Sequence, residues 1–131
     1  MSGRDRALAA RAAGWLLLAR LALRLAPFRV VRGALHCIPA RRDVRATGPE
    51  CERAVRRASR ALPASRCLAL ACAGAALLRR EGRESVLKIH VSVADGRDLQ
   101  AHASLVADGT IIAGAGAGME WPVLFSDRIR L

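Results

Sequence analysis

Residues 62–93 read LPASRCLALACAGAALLRREGRESVLKIHVSV, and a change of period inside this stretch decides the fold. Its first half is helical in pattern. Ser65 stands where an N-cap belongs, and Cys67, Ala71, Gly74 and Leu78 share one face of a helix over roughly 66–80. The small residues let that helix sit close on whatever it packs against. Arg79 and Arg80 suit its last turn, and Gly82 is placed to stop it. From Val86 to Val93 the chain turns β-branched, with apolar positions partly alternating, which predicts a strand.

Working toward the C-terminus, Asp95-Gly96 reads as a turn and Ala101–Ala107 as a second strand. Asp108-Gly109 is a hairpin signal before a third strand at Thr110–Ala113. Gly114–Gly118 alternates glycine with alanine and reads as a flexible stretch, and Trp121–Leu131 predicts an edge strand. The glycines do not stand at G-x-G-x-x-G spacing after a strand, which argues against a nucleotide fold.

Working toward the N-terminus, residues 50–61 form a helix with Glu50 and Glu52 in its first turn and Arg56, Arg57 and Arg60 in its last, an order that suits the helix dipole. Residues 28–49 read as a connector with one helical turn. Residues 4–26 predict one long helix, ended by Pro27, with Leu8, Trp15, Leu18, Leu21 and Leu25 lining a stripe. Arg20 and Arg24, four apart, lie together on another face. This basic amphipathic helix has the character of a membrane-surface helix, but packing on its own domain is favoured. Helices first and an antiparallel sheet afterwards mean an α+β fold. An N-terminal helix and connector over 1–49 would precede a core over 50–131, the whole forming one compact unit at 131 residues.

The chain is 53% apolar, enough to bury a core, yet holds only two Trp, two Phe and no Tyr, so Ala, Leu and Val must fill it. Its net charge of +11 comes almost wholly from arginine, Lys88 being the only lysine. Such a surface attracts acidic peptides, anionic lipid or nucleic acid. Scarce aromatics argue against single-strand stacking platforms, and no zinc-finger or helix-turn-helix pattern is present, so nucleic acid is not the expected partner. Arg20 and Arg24 interrupt both a signal-peptide reading and a membrane span, which points to a cytoplasmic protein with reduced thiols.

In that setting Cys37, Cys51, Cys67 and Cys72 are candidate thiols rather than bridges. Cys67, at the second position of its helix, faces free N–H groups and the positive end of the dipole, which favours a thiolate nucleophile; Arg66 helps. The bland alternative is a small buried hydrophobe, the reading for mid-helix Cys72. His102, on a strand between Ala101 and Ala103, is the candidate base, with His36 and His90 as rivals. A zinc site from Cys67, Cys72 and a histidine is weak because C-x-x-C spacing is missing.

The run Leu62-Pro63-Ala64-Ser65-Arg66-Cys67-Leu68-Ala69-Leu70-Ala71, then Leu77-Leu78-Arg79-Arg80-Glu81-Gly82, then Ala101-His102-Ala103 and Asp108-Gly109, resembles the stand-alone leader peptidases of lasso-peptide biosynthesis. These are transglutaminase-like, papain-related cysteine peptidases. The N-terminal Leu/Arg helix ending in Pro27-Phe28 is similar too. The resemblance implies that Cys67 is the nucleophile and His102 the base, that a leader is cut from a ribosomally made precursor, and that no metal or cofactor is needed. It also implies a leader-recognition protein and an asparagine-synthetase-like cyclase as partners. Ser104 departs from the family's tryptophan, which should loosen packing beside the site. Asp108 is carried as a third catalytic candidate, although six strand residues, roughly 20 Å at ~3.3 Å each, separate it from His102 unless a bulge shifts the register. A two-residue turn at Asp108-Gly109 would pair His102 with Ala115, where relatives carry an acid. A Cys–His dyad, or an acid from Glu120 or Asp127, stays open. So do an inactive leader-binding module of the same fold, and acyl transfer in place of hydrolysis.

Overall fold

The computed structural model describes residues 3–41, 46–62, 66–94, 98–114 and 120–130, over which four helices precede four strands. The helices are α1 (Gly3–Leu25), α2 (Phe28–His36), α3 (Gly48–Ala61) and α4 (Cys67–Arg80). The strands β1 (Ser85–Ala94), β2 (Asp98–Ala107), β3 (Thr110–Ala113) and β4 (Val123–Ile129) form one antiparallel sheet in the order β3-β2-β1-β4. The expected α+β layout, helices followed by an antiparallel sheet, is what the chain adopts. The Asp95-Gly96 turn lies outside the described residues.

The central element is α4, whose residues Ala71 to Leu78 are all buried. It begins one residue later than the pattern suggests. Arg66 occupies the N-cap without a side-chain cap bond, and Ser65, the expected cap, lies outside the described residues. Gly74 explains how closely the helix lies on the sheet: a methyl group there would stand 2.7 Å from Leu105 Cδ2 and 3.3 Å from Ile112 Cγ2. At the end of α4, Glu81 is buried and takes Arg11 of α1 at 3.0 Å and Arg41 at 3.6 Å. The two guanidinium groups answer a carboxylate placed at the unfavourable, negative end of a helix.

Two expectations for the N-terminal region need correction. The stripe that α1 buries is Leu8, Ala12, Leu16 and Ala19, while Leu18, Leu21 and Leu25 are exposed. Alanines at two of the buried positions let the α1 backbone approach α3 and α4, which a leucine stripe would hold off. The supposed connector contains α2, a nine-residue helix burying Val31 and Leu35. Pro27 both ends α1 and occupies the N-cap of α2, at φ −62° and ψ 151°; only the first of those roles is legible in the residue alone. The next helix, α3, starts at Gly48 with a capping box that the sequence reading missed. Thr47 Oγ1 accepts from the Glu50 N–H at 3.2 Å, and Glu50 Oε1 accepts from the Thr47 N–H at 3.1 Å. That backbone bond from Thr47 is the main reason Glu50 titrates below the usual carboxylate range.

In the sheet, β1 pairs with β2 so that Leu87 opposes Leu105 and His90 opposes His102. Leu87, Ala103 and Leu105 are buried against the helices, and the two histidines project from the other face. The hairpin turn has positive φ at both central residues, Asp108 (51°) and Gly109 (76°), as a type I′ turn requires. The register of β2 with β3 shifts between Leu105 and Val106, and that of β1 with β4 between Ile89 and His90. Both irregularities flank the histidine pair. Among the described residues no helix is long and apolar enough to cross a membrane.

Candidate active site

Cys67 is the first residue of α4 and is half-buried. Its sulfur accepts a hydrogen bond from the backbone N–H of Ala103 at 3.3 Å. The paired stretch of β2 and β3 ends at Leu105 and Ala113, two residues short of this donor. The start of α4 and the edge of β2 therefore meet, and the sulfur faces positive dipole ends from both.

His102 is half-buried and its Nε2 is hydrogen-bonded to the carbonyl oxygen of Gly114, the residue directly after β3. A carbonyl only accepts, so Nε2 carries the proton and Nδ1 holds the lone pair of a neutral ring. Gly114 in turn lies against Ala103: a Cβ on it would stand 2.1 Å from the Ala103 carbonyl oxygen. Cys67 thus meets the backbone of Ala103, and the orienting carbonyl meets the ring of His102, the preceding residue of β2. Ala103 and His102 point to opposite faces of the strand, and the histidine comes to this edge through its bond to Gly114.

The third position is where structure and sequence differ. No carboxylate is bonded to the His102 ring among the described residues; the Gly114 carbonyl takes that place. Asp108 sits exposed in the β2–β3 turn with Arg83 at 3.5 Å, far along the strand from His102. The turn and the bulge keep it there. Asp127 is bonded to His36 at 2.8 Å and lies 3.9 Å from Arg32, tying β4 to α2. Glu120 is exposed. A backbone acceptor carries no residue signature, so no sequence pattern points to Gly114.

His90, the other strand histidine, is buried with both nitrogens engaged. Nδ1 donates to the Trp121 carbonyl at 3.0 Å, and Nε2 therefore accepts from the Ser104 hydroxyl at 3.0 Å. With no free lone pair, it cannot serve as a base. Ser104 is fully buried and bonded, so the expected looseness beside the site does not arise. Trp121 packs its ring edge-on against His102, centroids 6.3 Å apart. Its carbonyl accepts from His90, whose ring centroid lies 6.0 Å from that of His102, so both residues pack against the candidate base. Neither role was read from the sequence, which marked Trp121 only as the start of an edge strand.

All four cysteines are free. Burial pushes the Cys51 and Cys72 thiols up to about 12, so neither is a usable nucleophile. Cys37 is exposed at the end of α2, beyond the helix whose His36 pairs with Asp127. Among the described residues, no cluster of three His, Cys, Asp or Glu side chains gathers that would hold a metal ion.

The comparisons with known proteins agree with this architecture. The sequence profile described as transglutaminase-like superfamily matches residues 13–122, most of the chain, including Cys67, His102 and Gly114. No curated protein and no solved structure matches the chain. With the profile spanning α1 through Trp121 and a cysteine opening the helix that packs on an antiparallel sheet, the chain belongs to the transglutaminase-like superfamily.

Proposed function

We propose that this protein is a cysteine peptidase that removes the leader from a ribosomally made precursor of the lasso-peptide type, working in the cytoplasm with a leader-recognition protein and ahead of an asparagine-synthetase-like cyclase. The observation that supports it most is the bond from the Ala103 N–H to Cys67 Sγ, which puts the thiol one residue along β2 from His102, whose ring the Gly114 carbonyl holds. Cys67 attacks the scissile carbonyl as its proton passes to His102 Nδ1. The carbon–nitrogen bond then breaks, His102 gives that proton to the leaving amine, and a thioester remains on Cys67. Water, deprotonated by the same imidazole, releases the acid. The precursor class and the partners come from the sequence resemblance.

Incubating the purified protein with a precursor and recognition protein, followed by mass spectrometry, tests the reading. Two fragments summing to the precursor plus one water are expected. Cys67→Ala should abolish them, and His102→Ala should slow them by roughly 10²–10⁴-fold. Cleavage surviving Cys67→Ala would remove the assignment, and a product extended by an amine would mean acyl transfer. One observation favours a second reading, a leader-binding module of low activity. The group orienting His102 is a neutral carbonyl, which lends an imidazolium less support than a carboxylate does. Tight binding of precursor without any cut would favour that module.

A further inference from the structure

Between the end of α1, the corner at Pro27-Phe28 and the start of α4 lies a cleft of about 650 Å³. Arg66, Leu68 and Ala69, the residues either side of Cys67 and one beyond, form part of its wall, so it lies against the same first turn of α4 that carries the thiol. Its charge is of one sign. Arg20 and Arg24 on α1 and Arg66 on α4 line it, and no acidic residue does. None of the three arginines has an ion-pair partner among the described residues, while Arg11, Arg32, Arg56 and Arg83 all do. Arg20 and Arg24 stand at i, i+4, a spacing at which like charges repel unless an anion lies between them. Leu23, Phe28 and Leu68 supply apolar wall. A smaller hollow of about 180 Å³ beside Gly114 contrasts with it, because its arginine, Arg56, is already paired with Glu52.

We propose that this cleft holds a segment of the substrate chain carrying acidic side chains among apolar ones, on one side of the bond to be cut. The inference rests on reading Cys67 as the nucleophile and adds the substrate's chemistry to it. A concave wall with apolar and cationic residues interleaved suits an extended peptide, whose carboxylates meet the guanidinium groups while its apolar side chains meet Leu23, Phe28 and Leu68. A flat bilayer surface does not enter such a concavity.

The test uses full-length Cys67→Ala protein, so that binding is read apart from cleavage, and a fluorescein-labelled decapeptide alternating leucine and glutamate, with its glutamine counterpart. By anisotropy, the glutamate peptide should bind at least 10-fold tighter. Arg20→Gln/Arg24→Gln should remove that preference, while Arg60→Gln, an exposed arginine of α3 outside the cleft, should leave it. Circular dichroism of each variant guards against misfolding. Equal binding of the two peptides, or equal losses in the cleft and Arg60 variants, would overturn the proposal. So would flotation with phosphatidylserine vesicles that is lost in the Arg20/Arg24 variant when the peptide preference is not. If the glutamate peptide binds as expected but wild-type protein cuts no precursor, the cleft stands and the peptidase reading falls. If precursor is cut at the same rate with Arg20 and Arg24 replaced, the peptidase reading stands and the cleft falls.

Discussion

Gly114 is the residue on which the site's geometry turns. Its φ of +83° is open to glycine and costly for other residues, and a Cβ would drive into the Ala103 carbonyl at 2.1 Å. Gly109 has nearly the same φ, +76°, but open space around it. The two therefore separate backbone strain from site geometry. Gly109→Ala should cost about 1–2 kcal/mol of stability and leave cleavage near wild type. Gly114→Ala should cost more stability and also displace the carbonyl from His102, lowering kcat by at least about 10-fold, equivalent to roughly 1.4 kcal/mol in the barrier. Thermal melts and cleavage rates measured side by side check this; equal activities for the two variants would deny Gly114 its orienting role. His90 offers a second comparison. His90→Ala strands the Ser104 hydroxyl and frees Trp121, so a stability loss of about 1–3 kcal/mol should accompany slower cleavage. Of these residues the sequence singled out Cys67 and His102, because a thiol at a helix start and an imidazole on a strand have recognisable contexts. Gly114 acts through its backbone and Trp121 through a contact made across the chain, and neither leaves a local mark.

At the scale of elements, α3 is the clearest case of local chemistry defining a boundary. Thr47 and Glu50 satisfy each other's backbone N–H groups, so Thr47→Ala should destabilise the protein by about 1 kcal/mol, read from urea unfolding at neutral pH. The N–H of residue 47 that holds the Glu50 carboxylate remains in this variant, so the loss should change little in acid. The Glu50 carboxyl is held below the usual carboxylate range, chiefly by that backbone N–H, so its contribution is present above that range and is lost as pH falls through the lower folded value. Acid stability curves should therefore run nearly parallel for wild type and Thr47→Ala and flatter for Glu50→Gln; a Glu50→Gln curve as steep as wild type would deny the carboxylate its part in the cap. The helix α1 teaches the opposite lesson. Its leucines outnumber its buried positions, and periodicity alone does not tell which stripe is covered. The alanines win because α3 and α4 are close.

For the molecule as a whole, the sequestered thiols set an alkaline limit. Cys51 and Cys72 are held neutral to about 12 in the fold but ionise near 9 once unfolded. Stability from this source is therefore unchanged below about pH 9 and falls as pH rises from there toward 12. A melting series from pH 7 to 11 should show this decline, and a Cys51→Ala/Cys72→Ala protein should show a shallower one. Iodoacetamide should label two thiols rapidly in native protein, Cys37 and Cys67, and four after denaturation. Rapid native labelling of Cys72 would contradict its place in the centre of the core.

The helices α1, α3 and α4 ahead of the strands, the hairpin at Asp108-Gly109 and the placing of Cys67 at a helix start were determined by the sequence itself, because period and turn residues act within a few residues. Which face of α1 is covered, that His36 takes Asp127, that His90 closes on Ser104 and Trp121, and that a glycine carbonyl orients His102 were decided only by the tertiary structure. Those are contacts between residues distant in the chain, made only when α1 packs on α3 and α4, α2 meets β4 and the strands pair in register.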